Sequence, residues 1–290
     1  MTEPGGLTEA VRQALATAGE AGDWRRMSSL GGSQSAVDLI EAGGRRFVLK
    51  HGMPGAMAAA EARGLVLLAE AKAVRVPAVI GWDSVPPFVL LEYVTRGRAV
   101  DERELGASLA RLHRRTAPAY GLDHDNFIGR TPQANGWLPR WSQFFVARRL
   151  RPQIELAAGR GLMPAGRLRS LEAVITRASG LIDDRTCRPS LIHGDLWSGN
   201  AVAGATGQPV LIDPAVSYSD REAELAMMRL FGGFGPAVFA AYEAEWPLPP
   251  SWRERDHLYR LYHLLNHLNL FGESYGSSVD AMVSRLNAMV

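Results

Sequence analysis

The chain has one cysteine, Cys187, in 290 residues. A lone thiol excludes an intrachain disulfide and a zinc site built from several cysteines, and it agrees with a reducing compartment. No stretch of about 18 uninterrupted apolar residues occurs, so no membrane-spanning helix is expected. The N-terminus carries acids and glycines without the basic-then-apolar pattern of a secretory leader. Charge of either sign is not in excess: 32 Lys and Arg stand against 30 Asp and Glu, a net +2. That balance gives no argument for a nucleic-acid or membrane-surface partner, and the sequence pI of 8.8 does not alter this. Internal repeats and low-complexity tracts are also missing. The expectation is a soluble cytoplasmic protein; the sequence leaves the oligomeric state open and is compatible with a monomer. At 47% hydrophobic, a chain of this length can bury one large core or two modest ones.

What is present is concentrated in residues 191–200, Leu-Ile-His-Gly-Asp-Leu-Trp-Ser-Gly-Asn. His193, Asp195 and Asn200 fit the H-x-D-x-x-x-x-N spacing of a phosphoryl-transfer loop. Such chemistry needs a carboxylate to orient the attacking hydroxyl and take its proton, and a neutral oxygen donor to help hold Mg²⁺. Asp195 suits the first task and Asn200 the second. The apolar run Val210-Leu211-Ile212 reads as a strand that delivers Asp213 as a second Mg²⁺ ligand. Pro214-Ala215 follow this acid where protein kinases carry Phe-Gly, which points toward small-molecule acceptors. His193 has no second His or Cys at metal-ligand spacing, so it reads as a brace within the loop.

If the loop transfers phosphate, the first third of the chain should grip ATP. Two strands at 24–30 and 36–42 flank Gly31-Gly32-Ser33-Gln34-Ser35, whose small residues let backbone N–H groups approach phosphates. Gly43-Gly44 reads as a hairpin turn into a third strand. Alternation there puts Val48 and Lys50 on one face and Phe47 and Leu49 on the other. Over 55–72 a helix places Glu61 on the stripe of Leu65 and Leu68, facing inward, as the partner of a phosphate-binding Lys50. A strand is expected near 76–80 and another over 88–94. Backbone groups of Glu92, Tyr93 and Val94 would meet the adenine at a hinge. From Asp101 the apolar period becomes helical, with a capping-box start at Asp101 and Glu104. Helical patterns recur at 139–158, 164–183, 220–231, 235–245, 254–270 and 278–289, and the only strand-like pieces among them flank the catalytic loop. The expected architecture is α+β: an antiparallel-sheet lobe over 1–94 and a larger, mainly helical lobe over 95–290, with a cleft between them.

Beyond these residues, the chain resembles the fructosamine kinase (ketosamine kinase) family. HGDLWSGN stands intact at 193–200, preceded by Asn126-Phe127-Ile128-Gly129, Pro132-Gln133-x-Asn135-x-Trp137, Trp141-x-x-Phe144-Phe145 and Arg149-Leu150. Arg221-Glu222, Phe231-Gly232-Gly233-Phe234, Tyr242, the run Leu261 to His267 and Phe271-Gly272 follow. The resemblance spans about residues 25–276. It implies a protein-kinase-like fold and ATP-dependent phosphorylation of the 3-hydroxyl of a ketosamine, free or protein-linked. Loss of the phosphate would then free the amine, a deglycation. Ser219 stands where the family usually has Gly, and the glycine loop lacks the cysteine of some relatives. Trp197 would offer its indole face to the sugar. The alternatives are an aminoglycoside- or choline-type phosphotransferase, which would need an acid-lined pocket, and a nucleotide-binding pseudoenzyme, which would have lost Asp195, Asn200 or Lys50.

Overall fold

A computed structural model describes residues 4–20, 23–32 and 35–289. Seven elements open the chain: α1 (Pro4–Thr17), β1 (Arg25–Gly31), β2 (Ala36–Ala42), β3 (Arg45–His51), α2 (Gly55–Glu70), β4 (Val79–Ser84) and β5 (Pro87–Glu92). The strands form one antiparallel sheet in the order β1-β2-β3-β5-β4. The alternation expected in β3 is present. Phe47 and Leu49 are buried with Val11, Leu15, Ile40 and Leu90, while Lys50 points to the opposite face and reaches Glu61 on α2. The sequence reading did not anticipate α1. Leu7, Val11 and Leu15 recur every four residues and give this helix one apolar stripe that seals the sheet. The strand expected at 76–80 starts later, at Val79, because Pro77 has no N–H to give a ladder and the strand can begin only beyond it.

The chain continues with α3 (Glu102–His113), the hairpin β6 (Asn126–Ile128) and β7 (Thr131–Gln133), and α4 (Trp141–Phe144). A π-helical stretch, Phe145–Leu150, joins α4 to α5 (Arg151–Gly159), followed by α6 (Ala165–Leu181) and β8 (Ser190–Ile192). The hairpin β9 (Ala201–Ala203) and β10 (Pro209–Leu211) comes next, then β11 (Ser217–Ser219), α7 (Arg221–Leu230), α8 (Pro236–Glu245), α9 (Trp252–Phe271) and α10 (Gly276–Ala288). Besides β8 and β10, which flank the catalytic loop as expected, the short strands β6, β7, β9 and β11 appear. At three residues these four carry too little alternation to be read in advance, whereas β10 is marked by the apolar run that ends at Asp213.

Two compact units result, Met1–Asp101 with Ala201–Pro214, and Glu102–Asn200 with Ala215–Val290. This division differs from a break at 94/95 chiefly by the segment 201–214. Backbone bonds explain its membership: Leu211 donates to the Arg75 carbonyl at 2.9 Å, Gly97 to Ala203 at 3.0 Å and Asp101 to Gly207 at 2.8 Å. The second unit is built around α9, whose Leu258, Leu261, Leu265 and Leu268 are fully buried against the surrounding helices. Among the described residues, no helix is long and apolar enough to cross a membrane.

Candidate active site

In the first unit the structure brings Lys50, Glu61 and Asp213 together. The Lys50 ammonium donates to Glu61 at 2.5 Å and also to Asp213. Burial works against the charge on Lys50, but the two carboxylates outweigh it and hold its pKa above the ordinary lysine range. Burial raises the pKa of Glu61, and Lys50 offsets only part of that effect. Asp213 differs from Glu61 in two respects. Its side chain is 49% exposed, and its backbone is left-handed at φ 56°. A non-glycine residue in that region is held there at a cost, a pattern that clusters at functional sites.

Gly31 and Gly32 follow the glycine loop's first strand with φ of 86° and 135°, conformations in which the backbone can turn toward a ligand. Ser33 and Gln34 lie outside the described residues. Of the three residues expected at the adenine, Glu92 ends β5: its N–H donates to the Ala78 carbonyl at 2.9 Å and its carboxylate pairs with Arg75 at 2.6 Å. Tyr93 follows the strand, with the Arg46 guanidinium 4.4 Å above its ring, and Val94 comes next. Backbone not already used by the ladder therefore begins after Glu92.

The catalytic loop lies in the second unit. His193 is fully buried, and its Nδ1 accepts the Asp195 N–H at 3.3 Å, the bracing role expected of it. The Asn200 side-chain amide donates to the Asp195 carbonyl at 2.8 Å. That bond uses its nitrogen and leaves its oxygen as the donor atom for a cation. Trp197 is 44% exposed, so it is not a core tryptophan. Its indole lies over Gly199, where an added Cβ would come within 2.1 Å of the ring. Glycine at 199 is thus the condition for the indole to lie across the loop.

Sequence reasoning missed the residue that fixes this loop. Glu224 on α7 is 1% exposed and accepts the backbone N–H groups of His193 at 2.7 Å and Gly194 at 2.8 Å. His113 on α3 comes within 3.3 Å of the same carboxylate. Burial alone would raise the pKa of Glu224, but His113 and the His193 contacts more than compensate and hold it below its ordinary value. The α7 N-terminus is fixed in turn. Asp220 accepts the Glu222 N–H at 2.8 Å, and Glu222 forms a buried two-pronged pair with Arg255 at 2.8 Å.

The central signatures build a second buried network. The Asn126 amide donates to the Val216 carbonyl at 2.8 Å, and Gln133 donates to Asn126 at 2.8 Å. Tyr262 donates to Gln133 at 2.7 Å, while Arg149 donates to Asn135 at 2.7 Å and to the Ala134 carbonyl at 2.6 Å. Arg149 lies over the Phe144 ring at 4.6 Å, and burial lowers its pKa to about 10. These bonds satisfy buried polar groups and hold the backbone that follows Pro214. Among the described residues, no group of three or more His, Cys, Asp or Glu could hold a metal ion.

Comparison with known proteins places this geometry. Residues 8–289 match the profile of the fructosamine kinase family. A protein named as a ketoamine kinase from Enterococcus faecium is 42% identical over 212 residues, 72% of this chain and 76% of the relative. The chloroplastic protein-ribulosamine 3-kinase of Oryza sativa is 35% identical over 94% of this chain and 82% of its own length. A crystal structure named as a fructosamine-3-kinase, from Thermobifida fusca, superposes with a TM-score of 0.87 at 30% identity, covering 96% of this chain and 98% of that one. A choline kinase from Streptococcus pneumoniae, at 14% identity and a TM-score of 0.63 over 97% of this chain and 99% of its own, shares the fold. A lysine clamped between two acids and a loop carrying His193, Asp195 and Asn200 thus occur in a chain matched by one profile almost from end to end: it belongs to the fructosamine kinase family, kinases of the protein-kinase-like fold.

Proposed function

We propose that this kinase transfers the γ-phosphate of ATP to the 3-hydroxyl of a ketosamine, and that the product then loses phosphate and releases the amine. Asp195 accepts the proton of the 3-hydroxyl as its oxygen forms the new bond to phosphorus, and the bond to the ADP oxygen breaks. Lys50, fixed by Glu61, neutralises phosphate oxygens. Gly31, Gly32 and Ser33 supply backbone N–H groups to the phosphates, and Tyr93 and Val94, beyond the end of β5, receive the adenine. The donor set suits Mg²⁺: a half-exposed carboxylate at Asp213 and an amide oxygen at Asn200 are hard ligands. When bound, Mg²⁺ neutralises charge on the transferring phosphate. Trp197 lays its indole face against the C–H surface of the sugar.

The observation that carries this reading is the Trp197 indole, exposed and seated on Gly199 in the loop that also holds Asp195. The test is ATP consumption across fructosamine, ribulosamine and erythrulosamine adducts, aminoglycosides and choline, with the phosphorylated carbon located by ³¹P NMR. Phosphate at O3 of a ketosamine supports the reading. Turnover of an aminoglycoside or choline without turnover of any ketosamine overturns it.

A further inference from the structure

A row of aromatic side chains in the second unit has no part in the chemistry described above. Phe231, the residue that caps the C-terminus of α7, is 40% exposed, and Phe271, which ends α9, is 58% exposed. Between them lies His267, with ring centroids 4.5 Å from Phe231 and 5.5 Å from Phe271. Tyr275 completes the group at 5.0 Å from His267 and 5.8 Å from Phe271. Large exposed rings gathered in one place, unlike rings scattered singly, mark a surface that receives something apolar.

Two features connect this surface to the catalytic loop. After Phe231 the chain turns through Gly232 and Gly233, both left-handed at φ 69° and 86°. Gly233 is pressed so closely onto Ser198 that an added Cβ would lie 2.3 Å from its hydroxyl oxygen. Phe231 therefore follows from the position of the loop that carries Trp197. The second connection is α9. Tyr262 lies where the charge of Asp195 adds to the effect of burial on its phenol, which is pushed up to about 12. At a rise of about 1.5 Å per residue, His267 and Phe271 stand about 7 and 14 Å farther along the same helix. In a ketosamine the amine nitrogen is four bonds from the reacting O3, so its substituent leaves the sugar close to the loop of Asp195.

The chemistry of the surface is selective. His267 Nδ1 donates to the His263 carbonyl at 2.8 Å, and burial lowers its pKa, so it presents a neutral ring. The nearest acid in sequence, Glu273, is engaged by Arg167 at 2.6 and 3.0 Å. Ring faces beside an acid already paired with Arg167 suit an apolar or aromatic substituent beside a single ammonium better than a polyamine.

Resting on the ketosamine reading, we propose that Phe231, His267, Phe271 and Tyr275 form the subsite for the amine-side substituent of the substrate, and that this subsite selects substituents bearing an aromatic ring. The test uses fructose adducts of one sugar and a graded set of amines: glycine, phenylalanine, 2-phenylethylamine and spermidine. The parent enzyme should show kcat/KM for the two aromatic adducts about tenfold or more above that for the glycine adduct, carried in KM, with spermidine no better than glycine. Phe271→Ala should collapse that ratio toward one, and Phe271→Tyr should restore it. Equal ratios in parent and Phe271→Ala overturn the subsite even though ketosamines are still phosphorylated. Failure on every adduct, glycine included, overturns the ketosamine reading and the subsite with it. A surface that serves to join two copies of the chain would instead show in sedimentation as a dimer lost in Phe271→Ala with the substrate ratio unmoved, and that result also overturns the proposal.

Discussion

The two units hold their key acids by opposite means. In the first, Asp213 sits half-exposed on a left-handed backbone and accepts from Lys50, so its oxygens face both a cation and solvent. In the second, the loop of Asp195 is gripped through its backbone by a carboxylate that never meets solvent, Glu224. The difference fits the tasks proposed for the two acids. An acid that takes up a metal with each nucleotide must be reachable, whereas an acid that aligns a hydroxyl must not move, because misplacement by about 1 Å can cost 10²-fold in rate. Rigidity is placed under the base and accessibility beside the lysine.

The sharpest break in this contrast comes from Asp195→Asn. Turnover should fall by about 10²-fold or more while Mg²⁺-ATP binding persists, since the change touches the hydroxyl's proton acceptor alone. Single-turnover kinetics with calorimetry on the same variant would check both halves, and near-normal turnover would remove Asp195 from its role.

Glu224→Gln tests the grip on the loop. An amide keeps one acceptor oxygen for two buried N–H donors, so we expect a loss of about 1–3 kcal/mol in stability together with reduced turnover. The pH dependence has a definite sign. The folded-state pKa of Glu224 is depressed below 4.5, so its carboxylate contributes stability that is fully present above that value and lost as pH falls through the folded pKa. The gap between parent and Glu224→Gln in thermal unfolding should therefore narrow below pH 4.5, and a gap that is constant with pH would count against the charged grip.

These particulars show which parts of the molecule can be read from the chain alone. His193 to Asn200 and the pair Lys50 and Glu61 were legible because their chemistry fixes local spacing or one face of a strand or helix. In the first unit β3 was legible through period-two alternation and β5 through a nearly continuous apolar run, while the start of β4 was not, because Pro77 decides it. Glu224 was not, since nothing about an acid on an amphipathic helix tells that it meets two amides some thirty residues earlier. The segments around Asn126, Gln133, Arg149 and Tyr262 were visible as family signatures, but their joint purpose, a buried network beneath Ala215 and Val216, exists only once four distant pieces of chain are folded together. The helix α1 was missed because the apolar face that packs on the sheet, Leu7, Ala10, Val11, Ala14 and Leu15, includes two alanines that mark a stripe only weakly.

Smaller effects should follow on the nucleotide side. Asp213→Ala should weaken Mg²⁺-dependent ATP affinity, whereas Lys50→Ala should mainly lower turnover by misplacing the phosphates. Calorimetry with and without Mg²⁺ separates the two, and an unchanged Mg²⁺-ATP affinity in Asp213→Ala would count against its role as ligand. Smallest of all is the expected effect of Trp197→Ala. At 44% exposure the indole contributes little to the core, so thermal stability and ATP binding should hardly change while KM for a ketosamine rises about tenfold. A drop of about 3–5 kcal/mol in stability would instead mark it as a packing residue.

The central claim is that Asp195 and Trp197 act on the sugar of a ketosamine. It is tested most directly by incubating the enzyme with Mg²⁺-ATP and a fructosamine and recording ³¹P NMR with time. The account requires a new phosphate monoester at O3, followed by inorganic phosphate as the amine is released. A sample in which ATP and fructosamine remain unchanged, while an aminoglycoside under the same conditions gains a phosphate, would contradict it.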